Sequence, residues 1–262
     1  MTESVVDLIG VVIPVHNEAL HLEGCLQAVT AAWHHLRRDP RAPQVRVVVV
    51  LDRCTDGSAA IAARFPHVQS VAAEAATVGR ARSIGAEHVL GDRPDRVWLA
   101  CTDADSVVPT RWLAHQWSAA RSGVELLLGT VRPAVRRPGD GPPSAGPDRL
   151  GRLERLDPVH YARWAAGYVS RFGHPHVHGA NLGIRGDAYR ECGGFPPLPA
   201  HEDVALAEAV RARGLRVVSS AAHPVDTSAR TEGRAPSGFA AFLAGTCLDP
   251  GTSSVVTDSV AS

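Results

Sequence analysis

Lysine is missing from this sequence; all 27 of its basic residues are arginine. Without an ε-amino group there is no Schiff-base chemistry and no phosphate loop completed by a lysine. An excess of either charge is missing too. The arginines are balanced by 27 aspartates and glutamates, so no global field favours nucleic acid or an anionic membrane. Paired cysteines are absent. Cys25, Cys54, Cys101, Cys192 and Cys247 are odd in number, widely spaced and never Cys-x-x-Cys, which points to free thiols in a reducing compartment, not a disulfide framework. No apolar run approaches the roughly 20 residues that cross a bilayer. Residues 1–7 lack the basic-then-apolar order of a secretion signal. The expectation is a cytoplasmic protein with no transmembrane segment.

What is present is ordinary for a soluble globular chain: 262 residues, 45% hydrophobic and 21% charged, enough for one large α/β domain or two small ones. Leu8–Val15 reads as a buried strand. Leu22, Leu26, Val29, Trp33 and Leu36 then mark one face of an amphipathic helix, with Asn17 placed to cap its start. Residues 45–51 are almost continuously β-branched, as in a parallel strand covered on both faces. A short helix over 59–65, a strand over 68–71, a helix from Val78, a strand over 96–100 and a helix through Trp112 and Trp117 follow. A strand over 126–131 closes the half, and the alternation predicts a parallel sheet with right-handed crossovers. Residues 133–148 are too rich in proline and glycine for either element and read as a mobile loop, a candidate acceptor lid. Helix resumes over 150–171 with an interruption near Pro158. A strand-like run over 176–184, a helix over 186–192, a helix over 201–213 stopped by Gly214, and a last strand over 215–219 complete the reading. Residues 245–262 are small and polar, the composition of a disordered tail.

The informative polar residues sit at predicted strand ends. Thr102-Asp103-Ala104-Asp105 follows the fourth strand, and on an extended backbone Asp103 and Asp105 point the same way. Two such carboxylates suit a hard cation such as Mg²⁺ or Mn²⁺ that shares its shell with phosphate oxygens. An EF-hand loop is excluded, because Val108 and Ala114 stand where its glycine and bidentate glutamate would be. Taken alone the stretch reads first as a polar turn. But His16-Asn17-Glu18 follows the first strand and Asp52 the second, and in an open parallel sheet ligands bind outside the carboxyl ends of the strands. A shared metal and nucleotide would explain all three.

Read in order, Val12-Ile13-Pro14-Val15-His16-Asn17-Glu18, Asp52 with Thr55-Asp56-Gly57-Ser58, Gly79-Arg80-Ala81-Arg82-Ser83-Ile84-Gly85, Thr102-Asp103-Ala104-Asp105, His178-Gly179-Ala180-Asn181-Leu182-Gly183-Ile184-Arg185, Gly193-Gly194-Phe195 and His201-Glu202-Asp203 resemble a family 2 glycosyltransferase, with Thr227-Ser228-Ala229-Arg230 and Arg234 as a weaker late match. Each segment is weak and the ordered set is specific.

The resemblance implies a single GT-A, Rossmann-like α/β domain: a mostly parallel sheet flanked by helices, with a C-terminal acceptor-side extension. It divides the chain into a nucleotide-sugar-binding half (1–132), the proline- and glycine-rich loop (133–158), an acceptor and catalytic half (159–244) and the tail (245–262). It also implies a nucleotide-diphosphate sugar donor, a hydroxyl acceptor and a Mn²⁺ or Mg²⁺ cofactor. By position, Pro14, His16, Asn17, Glu18 and Asp52 would hold base and ribose, and Arg82 would approach the nucleotide or diphosphate. Asp103 and Asp105 would serve ribose and metal, Gly179, Asn181 and Glu202 the acceptor and sugar side, and Arg230 and Arg234 the diphosphate. Asp203 would be the general base of an inverting transfer. Where the family has paired aspartates and a glycine after the second strand, this chain reads Leu51-Asp52-Arg53-Cys54, which leaves the base open.

His223 is a further candidate metal ligand that would favour Mn²⁺. His174, His176 and His178 alternate as a minor zinc-site reading. The rivals are a retaining transferase of the same fold, a degenerate nucleotide-binding protein, and a sugar-nucleotide pyrophosphorylase, the last opposed by the missing lysine and glycine-rich loop. A peripheral contact with a membrane-borne acceptor stays open.

Overall fold

The computed structural model describes residues 6–135, 153, 155–230 and 243. In chain order its first half comprises β1 (Leu8–Val15), α1 (Leu22–Leu36), β2 (Gln44–Asp52), α2 (Ser58–Ala63), β3 (Val68–Ala73), α3 (Val78–Leu90), β4 (Val97–Cys101), a two-residue β5 (Ser106–Val107), α4 (Trp112–Arg121) and β6 (Leu126–Pro133). The second half adds α5 (Pro158–Gly167), β7 (Leu182–Arg185), α6 (Gly186–Glu191), α7 (Glu202–Ala212) and β8 (Val217–Thr227).

The strands form one eight-stranded sheet in the order β3-β2-β1-β4-β7-β6-β8-β5. Pairings β3–β2, β2–β1, β1–β4 and β6–β8 are parallel. β7 is antiparallel to both β4 and β6, and β5 is antiparallel to β8. The mostly parallel sheet is therefore present, with β7 inserted as an antiparallel strand between β4 and β6. Nothing in strand–helix alternation announces such an insertion, since β7 arrives from the second half of the chain.

Alternation along β1 feeds two cores. Ile9, Val11, Ile13 and Val15 pack with Leu22, Leu26, Val29 and Leu36 of α1 and with Trp112 and Leu113 of α4. Val12 faces the other way, to Ala81, Ala86 and Val89 of α3 and Leu206 and Val210 of α7. Each fully buried Leu or Val contributes roughly 1.5–3 kcal/mol over exposure, so this double-sided burial is what fixes the register of β1.

Several local expectations are corrected. Asn17 does not cap α1, which starts at Leu22 after His21 with no side-chain cap. Pro158 does not interrupt a helix; it is the first residue of α5, where its missing N–H costs nothing, and the Asp157 carboxylate caps Val159 N and His160 N at 3.0 and 3.1 Å. The run over 176–184 is strand only at Leu182–Arg185, so the three alternating histidines are not on a strand. The last strand is longer than 215–219 and contains His223. Gly214 does end α7, with φ +69°. The expected lid over 133–148 and the expected tail over 245–262 lie largely or wholly outside the described residues.

Cys25, Cys54, Cys101 and Cys192 are free thiols. Among the described residues no helix is long and apolar enough to cross a membrane.

Candidate active site

The chain runs outward from β1 to β2 and β3, then returns to place β4 on the other side of β1. The carboxyl ends of β1 and β4 therefore flank a topological switch point, where the loops diverge and leave a crevice. His16-Asn17-Glu18 leaves one strand and Thr102-Asp103-Ala104-Asp105 the other. A cleft of about 810 Å³ opens there, lined on one side by Pro14, His16, Glu18, Asp52, Arg82, Asp103, Asp105 and Arg230, and on the other by Tyr168, His176, His178, Gly179, Glu202 and Asp203.

The loop after β1 is shaped by the loop after β2. Asn17, at φ +53°, accepts from Thr55 N at 2.8 Å. Glu18 N donates to Ser58 Oγ at 3.0 Å, and Ala19 N to Asp56 Oδ2 at 2.8 Å. His16 Nδ1 lies 2.6 Å from the carbonyl of Asp52. Thr55, Asp56 and Ser58 thus hold the Glu18 loop in place, which presents Glu18 to the cleft and turns Asn17 away from it. Asp52 is itself anchored, since its Oδ1 accepts from Ala75 N at 2.7 Å and Ala76 N at 3.3 Å.

Charge is concentrated where β1 and β4 end. The Arg230 guanidinium spans two buried carboxylates, with Nη1 3.0 Å from Glu18 Oε1 and Nη2 2.7 Å from Asp105 Oδ2. His21 Nδ1 is 2.8 Å from the other Glu18 oxygen. Burial pushes the Asp105 carboxyl up to about 6; Arg230 opposes this, while Asp103 and Glu18 add to it. The Cys25 thiol beneath is raised by burial and by the same three carboxylates. Arg230 counters Glu18 and Asp105, and Arg82 counters Asp103; Asp103 and Asp105 offer an oxygen-preferring cation two carboxylates, with phosphate and water oxygens needed to complete its shell.

Arg82 joins the two sets of lining residues. It is buried on α3, pairs with both Asp103 and Glu202, and lies under Gly179, where a Cβ would run into its guanidinium. Burial works against its charge, but Asp103 and Asp203 outweigh it and hold it protonated. Asp203, in the first turn of α7, accepts from Gly179 N at 2.6 Å through Oδ2 and from Val204 N at 2.8 Å through Oδ1. Two backbone donors fix the carboxylate while each oxygen keeps a lone pair for another donor.

A model of the family described as glycosyl transferase family 2 matches residues 10–172, more than half of the chain and inclusive of both strand-end loops. The chain belongs to glycosyl transferase family 2.

Solved structures similar to this family 2 chain share its GT-A fold at low identity. They include a mannosyltransferase from Pyrobaculum calidifontis in complex with GDP-Man and Mn²⁺ (20% identity, TM-score 0.57, 86% of this chain and 58% of that one). TarS of S. aureus aligns at 14% identity and TM-score 0.57, over 85% and 61% of the two chains. Glucosyl-3-phosphoglycerate synthase from Mycobacterium tuberculosis in complex with Mn²⁺ and UDP-glucose aligns at 15% and TM-score 0.51, over 84% and 70%. This chain spans about 60% of the length of the first two. No curated protein matches.

Of the residues singled out in the family 2 sequence, eleven share the cleft: Pro14, His16, Glu18, Asp52, Arg82, Asp103, Asp105, Gly179, Glu202, Asp203 and Arg230. Three do not. Asn17 serves its loop. Asn181 lies beneath, donating to the carbonyls of Thr130 (2.8 Å) and His223 (3.1 Å) and accepting from Trp112 Nε1 (2.9 Å), so both its amide hydrogens are used within the fold. His223 packs against His115, with ring centroids 4.8 Å apart and the rings tilted by 60°, and is not among the residues that line the cleft; the imidazole argument for Mn²⁺ falls with it. Arg234 lies outside the described residues. The zinc reading also fails, because among the described residues no three His, Cys, Asp or Glu side chains are grouped to hold a metal.

Arg53 and His201, quoted within motifs but given no role, and Ala76, which the sequence did not single out, line the cleft at positive φ of 48°, 62° and 64°. Left-handed backbone at non-glycine residues clusters at functional loops, but only an Asn, such as Asn17, advertises it in a sequence. Tyr168 was missed too, and its helix-end position offered no signal.

Proposed function

We propose that this protein transfers a sugar from a nucleotide-diphosphate donor to an acceptor hydroxyl with inversion at the anomeric carbon. The observation that carries the reading is the meeting, in one cleft at the switch point, of two strand-end carboxylates suited to a cation (Asp103, Asp105), a guanidinium paired with Asp105 and Glu18 (Arg230) and a separately held carboxylate (Asp203). The structures similar in fold include ones with Mn²⁺ and either GDP-Man or UDP-glucose, which supports a sugar nucleotide and Mn²⁺ here and leaves the base to experiment.

Asp105 and Asp103 would hold the divalent cation, which when bound supplies positive charge to the diphosphate as it leaves. Asp52 keeps Oδ2 for the donor's base, since only Oδ1 is taken by backbone N–H groups. Arg230 is placed to transfer one of its carboxylate contacts to the diphosphate, adding a bidentate cationic donor where negative charge develops. Arg82 acts at one remove, keeping Asp103 and Glu202 in register across the cleft. Asp203 accepts the proton of the attacking hydroxyl, and its two backbone hydrogen bonds fix the direction from which that hydroxyl approaches.

A thermal-shift panel of UDP, GDP and their sugar conjugates, with and without Mn²⁺, tests the donor half. A ligand that binds only the folded state raises the midpoint, by about 2.7 kcal/mol of stability at a hundredfold excess over Kd. We expect a metal-dependent rise with one base, and no rise with any pair would sink the reading. NMR of the product anomer tests inversion.

A further inference from the structure

Part of the cleft lining is built from rings. Trp164 on α5 backs Tyr168 at 4.5 Å between centroids, and Tyr168 lies against His176 at 4.1 Å and only 4° from coplanar. His178 follows at 5.9 Å from His176. We propose that His176 and His178, backed by Tyr168, form an acceptor subsite for the flat face of a pyranose ring, so that the sugar is moved onto a glycoside and not onto an open-chain alcohol. The inference rests on the glycosyl-transfer reading and names the acceptor class that reading left open.

Each ring is fixed by its own bonds. The Tyr168 hydroxyl accepts from Val131 N at 3.2 Å, so its hydrogen is free to go to His178 Nε2, 2.9 Å away. His176 Nε2 accepts from Val169 N at 3.2 Å. His176 is therefore an acceptor at Nε2 and carries its hydrogen at Nδ1, while Tyr168 and His178 share one hydrogen bond. Burial lowers the affinity of His176 and His178 for a second proton, His178 to about 3, and burial raises Tyr168 to about 12. The wall is uncharged and held in position before any ligand arrives, which lowers the ordering cost of binding. An aromatic face offers a large apolar area in a fixed plane. A pyranose matches it with a face of C–H groups and a rim of hydroxyls; an alditol has the same hydroxyls and no such face. The location suits an acceptor, since Gly179, next after His178, donates to Asp203. A ring lying on His176 would sit beside the proposed base.

The experiment is saturation-transfer NMR on the full chain loaded with a nucleoside diphosphate and Mg²⁺. Methyl α- and β-hexopyranosides would be compared with ribitol and xylitol. We expect saturation on the C–H protons of one sugar face, little on the alditols, an affinity lower by about fivefold to tenfold in His176→Ala, and recovery in His176→Phe, which keeps a ring without imidazole chemistry. Alditols binding as well as pyranosides, His176→Ala leaving pyranoside affinity unchanged, or no pyranoside binding while the nucleotide still binds would each overturn the subsite. Loss of nucleotide binding in the wild-type protein would overturn the transferase reading beneath it.

Discussion

The two walls of the cleft hold their side chains by different means. On the strand-end wall Glu18, Asp103 and Asp105 are fixed by ion pairs to Arg230 and Arg82. On the ring wall Tyr168, His176 and His178 are fixed by stacking and by neutral hydrogen bonds, on a segment between α5 and β7 that is neither helix nor extended strand. Charge is gathered where a diphosphate would leave; beside the rings it is confined to Glu202, paired with Arg82, and to Asp203. Asp203 stands at the seam, held by Gly179 of the ring wall and favouring the charge of Arg82.

Asp203→Asn is the sharpest way to break that division. The amide keeps size and polarity but cannot take a proton, so transfer should fall by about 10²–10⁴-fold, the usual worth of a general base. Binding of nucleoside diphosphate and metal should persist, because the strand-end wall is untouched. Steady-state kinetics beside the thermal shift checks both halves; unchanged turnover would remove Asp203 from the chemistry.

Stability should separate the walls next. Arg82→Met strips the countercharge from two carboxylates, Glu202 being almost wholly buried, and breaking such a pair costs about 3–5 kcal/mol. Tyr168→Phe removes one hydroxyl and leaves Val131 N short of an acceptor, a loss of about 1–3 kcal/mol. Urea unfolding of both variants tests the order. A larger loss from Tyr168→Phe would mean that neutral hydrogen bonds, not ion pairs, carry the cleft.

The ring wall also predicts a pH dependence. Burial first, then His176 and His174, lower His178 from 6.5 to about 3. The unfolded chain therefore binds a proton that the folded chain refuses. Stability from this group is complete above pH 6.5 and is lost as pH falls from there towards 3, by up to about 1.4 kcal/mol per pH unit for one proton. Unfolding free energies measured between pH 7 and 4.5 should fall more steeply in the wild type than in His178→Gln. Parallel curves would show that His178 protonates freely in the fold.

The strand-end wall was legible in the sequence and the ring wall was not, for a physical reason. Strands β1, β2 and β4 are covered on both faces, so they read as unbroken apolar runs, and a polar residue that ends such a run must lie at a sheet edge. That logic reached Glu18, Asp52, Asp103 and Asp105. Segment 168–178 takes its shape from partners far away in sequence, such as Val131 for Tyr168 and Ser219 for Gly173. No local period records those contacts, and the alternating histidines imitated a strand. Asn181 and His223 misled for a related reason: their residue types suit a ligand, while their partners within the fold use them for packing.

The smallest expected effect concerns Arg230, which pairs with Asp105, one of the two carboxylates that would hold a cation, and with Glu18 beside it. A guanidinium so placed competes with a metal when no nucleotide is present, and adds to diphosphate binding when one is. Arg230→Ala should therefore bind Mn²⁺ alone a few-fold more tightly than the wild type, because Glu18 and Asp105 lose their countercharge. With the preferred nucleoside diphosphate added, the same variant should bind a few-fold more weakly, since one charge-assisted contact to the phosphates is gone. Mn²⁺ titrations followed by electron paramagnetic resonance, with and without nucleotide, read both signs. A merely structural arginine would weaken binding in both conditions, so the reversal of sign between them is the property that ties Arg230 to the leaving group.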